Sequence, residues 1–255
     1  MTKTAIVLFN LGGPDRTESV EPFLFNLFND PAIISLPNPF RYLVAKLISR
    51  KRAPIAREIY EHLGGGSPLL PNTQAQASAL DAALSDIGVV KSFIAMRYWH
   101  PMTAETVQAV KSFGPDRIVL LPLYPQYSTT TTASSLRLWN KEAEKAGLSV
   151  PTHVIGCYPR SSGYIRSVAE LVRKAYDGMQ GPKRVLFSAH GLPKKVVDKG
   201  DPYQWQVERS ADEAVKALDI PDLDWVVCYQ SRVGPLEWIG PSTDAEIQRA
   251  GNDGV

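Results

Sequence analysis

Short apolar runs closed by glycine, proline or asparagine alternate along this chain with longer stretches at helical spacing. Thr4-Ala-Ile-Val-Leu-Phe9, Val89 to Ala95, Arg117 to Pro122, Thr152 to Gly156, Arg184 to His190 and Trp225 to Tyr229 are the runs that predict strands. Most carry apolar residues at successive rather than alternate positions, as strands of a parallel sheet covered on both faces do.

Between the runs the pattern changes to helical. Thr17 predicts the cap of a helix through Asn29, with Glu18 and Glu21 at its positive end. Asn38-Pro39 predicts the start of a second helix, bearing Phe40, Leu43, Leu47 and Ile48 and ending in Arg50-Lys-Arg52. A separate short helix, Ile55 to Leu63, would stop at Gly64-Gly-Gly66. Further helices are predicted over Thr73 to Asp86, Thr103 to Phe113, a segment ending near Gly147, Tyr164 to Asp177, and Pro202 to Leu218. Ser242 predicts the cap of a last helix to Arg249. Strands that alternate with helices in this order predict parallel sheets with crossover helices. A division near Gly147 to Pro151 gives two similar halves, 1–148 and 149–255. Gly251 to Val255 stop where another β unit is expected, so the second half is predicted to be incomplete and the chain cut short.

Composition narrows the class. Of 255 residues, 44% are hydrophobic and 21% charged, which suits a globular protein and not a disordered one. The net charge of +2 is dispersed and gives no nucleic-acid footprint. Two cysteines without a CxxC, Cys157 and Cys228, argue against a structural zinc or a disulfide framework and for a reducing compartment. There is no signal-peptide pattern and no run of about 18 apolar residues, so a soluble cytoplasmic protein is expected.

The chemistry-bearing residues sit where strands and helices end: Asn10 to Pro14, Gly64 to Pro68, Met96 to Pro101, Tyr124 to Ser128, Ser188 to Pro193 and Gln230 to Trp238. Strand-end loops of an open α/β sheet converge on a ligand cleft. These loops would line it with large aromatic bodies and a few Arg, His and Ser tips. His190 ends a strand at that crest, although a lone histidine there is more often an ordinary hydrogen-bonded residue. The three glycines and Ser67 could wrap an anion, and a helix C-cap explains the first of them equally well. No HExxH, carboxylate cluster, GxSxG or GxxxxGK occurs, and Asn10 to Pro14 lacks the third glycine of the dinucleotide fingerprint. A broad, flat, apolar ligand with some anionic groups remains.

Six of these stretches carry a resemblance. Asn10-Leu-Gly-Gly-Pro14, Gly-Gly-Gly-Ser-Pro68, Met-Arg-Tyr-Trp-His-Pro101, Tyr-Pro-Gln-Tyr-Ser128, Phe-Ser-Ala-His-Gly-Leu-Pro193 and Cys-Tyr-Gln-Ser-Arg-Val-Gly-Pro235 resemble the ferrochelatase family, in order, across nearly the whole chain. The resemblance implies two Rossmann-like domains around a porphyrin cleft, and insertion of ferrous iron into the ring to make haem. By similarity, His190 acts as proton acceptor, metal carrier or both. Arg97 and Tyr98 resemble residues on the metal side of the ring. Arg52, Tyr60 and Ser67 resemble propionate-binding positions, Asn10 and Leu11 meet the ring after the first strand, and Trp238 supplies an aromatic contact. The family carries a further motif, a His and Glu facing His190, beyond position 255. Some relatives hold a [2Fe–2S] cluster. Two cysteines cannot complete such a site, so no tightly bound cofactor is expected and Cys157 reads as a buried thiol. The rival readings are a non-catalytic porphyrin or haem carrier on the same fold and a chelatase for another metal. The apolar helix from Pro39 to Ile48 is expected to pack or to form a cleft lip, with peripheral membrane contact as its alternative.

Overall fold

The computed structural model describes residues 2–231 and 236–255. It divides into two compact units, one comprising the chain up to Tyr124 together with Thr129–Gly156, the other Pro125–Ser128 with Cys157–Val255.

In the first unit, β1 (Lys3–Asn10), β2 (Val89–Met96), β3 (Arg117–Pro122) and β4 (Thr152–Val154) form a parallel sheet in the order β2-β1-β3-β4. The most apolar run takes the centre, and every residue from Thr4 to Phe9 is buried. Its alternate residues serve opposite faces. Ala5, Val7 and Phe9 pack with Val107 and Val110 of α4 (Thr103–Phe113) and Trp139 of α5 (Thr132–Ala146). Ile6 and Leu8 pack with Ala77 and Leu80 of α3 (Leu69–Ala83). The Trp139 ring stands edge-on to Phe9 with centroids 5.8 Å apart. β4 is shorter than its apolar run to Gly156 predicts, because only three positions pair with β3 and all three are exposed.

The predicted pair of helices between Asn38 and Leu63 is one helix, α2 (Phe40–His62), running through Pro54. An interior proline removes a backbone donor and costs about 3 kcal/mol. Tertiary packing overrides it: Ala45, Ser49 and Ala53, four residues apart, form a buried stripe on a helix packed against α1 (Val20–Phe28). Arg50-Lys-Arg52 therefore lies mid-helix, not at a carboxyl end. Phe40, Leu43 and Leu47 of α2 are not packing residues either, being 62%, 60% and 70% exposed, whereas Val44 and Ile48 are half-buried and the Tyr42 ring stands edge-on to Phe25 of α1.

The predicted Thr17 cap is also absent. Thr17 to Ser19 form a single 3-10 turn ahead of α1 with no side-chain cap, and the Ser19 hydroxyl donates instead to Asp15 (2.6 Å). At the other end of the chain, Ser242 does cap α9 (Thr243–Asp253), accepting from the Ala245 N–H at 3.2 Å.

The second unit holds β5 (Val185–His190) and β6 (Trp225–Gln230), parallel and in register from Val185↔Trp225 to His190↔Gln230. Its helices are α6 (Ser162–Gly178), the short α7 (Lys194–Val197), α8 (Tyr203–Leu218) and α9. Leu192, Val207, Tyr229 and Ile239 make the core. The loop Pro125–Ser128 joins this unit through buried polar groups. Gln206 accepts from the Tyr127 N–H (2.7 Å), Ser210 from the Gln126 amide (2.8 Å), and Asp201 from the Ser128 hydroxyl (3.0 Å). Among the described residues no helix is long and apolar enough to cross a membrane.

Candidate active site

At the carboxyl edge of the first sheet the backbone pairing continues past the strands. Arg97 N–H donates to the Asn10 carbonyl, Tyr98 N–H to Leu11 and Leu123 N–H to Phe9, at 2.8–2.9 Å. The loops after β1, β2 and β3 are thus held side by side, which fixes where Asn10, Leu11, Arg97 and Tyr98 stand. The Asn10 side chain is pinned at both ends, donating to Thr73 Oγ1 (3.1 Å) and accepting from the Leu11 N–H (2.9 Å). Leu11 keeps an exposed side chain. Asp15 accepts from Ser19 and from the Trp99 indole (2.9 Å), and the Ser19 bond foremost holds its carboxyl below the usual range.

Arg97 and Tyr98 converge on an aspartate that the sequence pattern does not single out. One oxygen of Asp30, Oδ2, accepts from Arg97 Nη2 at 2.6 Å, from the Tyr98 hydroxyl at 2.7 Å and from Ser134 Oγ at 3.2 Å. Its other oxygen accepts from the Ala32 N–H (2.8 Å). Ser134 also takes Arg97 Nε (3.1 Å), and the guanidinium carbon lies 5.0 Å from the Tyr98 ring centroid. The Asp30 side chain is 2% exposed and that of Arg97 18%. Tyr98 is buried, and burial, then the Asp30 charge, push its phenol far up, so it acts as a fixed neutral donor.

The three predicted propionate positions follow one another along α2 and its exit. Arg52 is exposed and makes no ion pair among the described residues, whereas Arg50 and Arg57 both face Glu21. Tyr60 is half-buried two turns further on, and burial raises its phenol. Backbone geometry favours the C-cap reading of the glycines over an anion cradle. Gly64 and Gly65 N–H close the helix on Glu61 and Tyr60, and Ser67 N–H donates to Pro14. The Ser67 hydroxyl accepts from the Leu69 N–H at 3.3 Å. No hydrogen bond joins Arg52, Tyr60 and Ser67.

In the second unit β5 delivers His190 to its carboxyl end, opposite Gln230. Gly191 N–H bonds the Gln230 carbonyl, and Ile239 N–H returns to Leu192 (3.0 Å), which lays Trp238 against Pro193 in an antiparallel bridge. His190 has an exposed edge, yet the surrounding protein mass disfavours its charged form and lowers its pKa below the ordinary 6.5. The imidazole is accordingly neutral at pH 7. Burial pushes the phenol of Tyr203, at the start of α8, up to about 12. The Trp238 indole N–H is buried and finds no acceptor among the described residues. Arg232 to Pro235 of the Cys-Tyr-Gln-Ser-Arg-Val-Gly-Pro stretch lie outside the described residues.

The family match extends over nearly the whole chain. The sequence model of the family named Ferrochelatase matches residues 3–255. The chain belongs to the ferrochelatase family. A ferrochelatase of Caulobacter vibrioides is 56% identical over 256 residues, covering 98% of this chain and 73% of that protein. Ferrochelatases of a Wolbachia from Drosophila simulans and of Pelagibacter ubique are 52% and 51% identical, covering 82% and 71% of their own lengths.

In this ferrochelatase chain, the residues that sequence reasoning passes over are those that hold the visible ones. Asp30 follows Asn29 and precedes Pro31, which reads as a turn. Ser134 sits behind four threonines, which read as a loop. Cys157, expected buried, is exposed, because the chain leaves β4 at the surface. Cys228 is the buried thiol. Among the described residues no three His, Cys, Asp or Glu side chains group as a metal site.

Proposed function

We propose that the protein is a ferrochelatase in activity as well as family, a lyase that inserts ferrous iron into a porphyrin with loss of two pyrrole protons. Membership of a family whose curated relatives are about half identical over nearly the whole chain carries this reading. Iron is a substrate here. Insertion needs the pyrrole nitrogens stripped of protons while the metal loses its waters. A neutral imidazole at a strand end accepts a proton at pH 7, and His190 is that group.

Roles for the other positions follow from their chemistry. The exposed Arg52 guanidinium is suited to a carboxylate of the ring, assisted by Tyr60 and Ser67. Asn10 and Leu11 meet the macrocycle edge, Trp238 stacks on it, and Arg97 faces the metal. The exposed apolar row Phe40, Leu43 and Leu47 on α2 is a lip that an apolar ring would meet. Porphyrin titration followed by the Soret band tests the binding half. Saturable binding that weakens in Trp238→Ala supports it, and no binding by the unaltered protein overturns it.

A further inference from the structure

We propose that Asp30 is a positioning residue for the metal-insertion step, presenting Arg97 to the incoming cation as half of a charge-neutral pair. The inference rests on the reading of the Arg97 loop as part of the iron-inserting site.

An arginine at the carboxyl edge of a sheet is a poor neighbour for a divalent cation, since an uncompensated guanidinium repels it at close range. The structure removes that repulsion at one point. Asp30 Oδ2 lies 2.6 Å from Arg97 Nη2, with the carboxylate almost wholly out of solvent. At this burial screening is weak and the opposite charges cancel locally. The carboxylate also fixes direction. Nη2 and Nε are taken by Asp30 and Ser134, while Nη1 makes no hydrogen bond to the described residues. That edge of the fork, an N–H donor with no lone pair, is left to meet a water carried by the iron and not the metal itself. The Tyr98 hydroxyl completes the clamp on the same oxygen (2.7 Å), and with Ser134 it supplies neutral donors that stabilise the carboxylate without adding charge.

A scaffold role for Asp30 would reduce all kinetic constants through loss of folded protein. A positioning role makes a narrower demand: removing the carboxylate charge must hurt iron more than porphyrin, and only while Arg97 is present. The experiment is steady-state kinetics with ferrous iron and porphyrin varied separately, on the unaltered protein, Asp30→Asn, Arg97→Gln and the double variant. Expected is a rise of about tenfold in KM for iron in Asp30→Asn, with KM for porphyrin changed less than about twofold. The double variant matches Arg97→Gln within about twofold. Equal losses for both substrates, or an Asp30→Asn penalty that persists without Arg97, overturn the inference while leaving the activity intact. Should Asp30→Asn fail to fold, the comparison of Arg97→Gln with the double variant, where no charge is left unpaired, decides by the same criterion. No metalloporphyrin from the unaltered protein overturns the functional reading itself and this inference with it.

Discussion

Gly13 lies so close to Ser67 that a methyl group built on it would stand 2.5 Å from the serine Cβ and Oγ. The same two loops meet again where a Cβ on Gly66 would fall 2.5 Å from the Asp15 carbonyl oxygen. Their glycines are thus explained by loop against loop, with Ser67 N–H bonded to Pro14 between them. Gly13→Ala is predicted to destabilise the protein by about 1–3 kcal/mol through overpacking and to displace Ser67. Denaturant unfolding measures the first effect. An unchanged midpoint would show that the two loops part freely.

Trp139 is the largest side chain buried in the first unit's core and meets Phe9 at the centre of the sheet. Trp139→Ala removes that contact and leaves a cavity, so a loss of about 3–5 kcal/mol is expected. Thermal unfolding of the purified variant measures it, and a loss below 1 kcal/mol, allowing for collapse of the site, contradicts the packing described.

β1 is the most legible strand in the sequence, because burial on both faces removes the polar alternation that would blur it. β1, β3, β5 and β6 lie within one residue of their apolar runs. α2 is misread for a physical reason. Its buried stripe is made of Ala45, Ser49 and Ala53, too small to give a strong period, while Phe40, Leu43 and Leu47 face outwards and Pro54 reads as a stop. The site divides the same way. His190 and Arg97 announce themselves at strand ends. Asp30 reaches its partners 67, 68 and 104 positions away, and no local pattern encodes contacts of that range.

Arg52 is exposed and unpaired among the described residues, so Arg52→Ala is expected to leave stability within about 0.5 kcal/mol. Its effect falls on substrate recognition: KM for a porphyrin with free carboxylates rises, and KM for its methyl ester does not. An equal effect on both would remove Arg52 from carboxylate binding.

The lowered pKa of His190 sets a pH dependence with a definite sign. Burial disfavours the imidazolium, so in the folded protein the ring loses its proton below the ordinary 6.5. Activity that needs the neutral ring is expected to hold as pH falls through 6.5 and to decline only near the lower, folded value. On acidification the unfolded chain protonates first, so the stability contributed by this group is present above 6.5 and is lost as pH falls through the folded value. A pH–rate profile checks this, and an acid limb centred above 6.5 contradicts it.

Metalloporphyrin formation puts the whole reading to the test. Ferrous iron and free-base porphyrin are mixed anaerobically with the protein and followed by visible absorbance. The predicted result is conversion of the free-base spectrum to that of the iron porphyrin, slowed at least about 10²-fold in His190→Ala while porphyrin still binds. An unaltered protein that leaves the free-base spectrum unchanged, or a His190→Ala variant as fast as the parent, would contradict it.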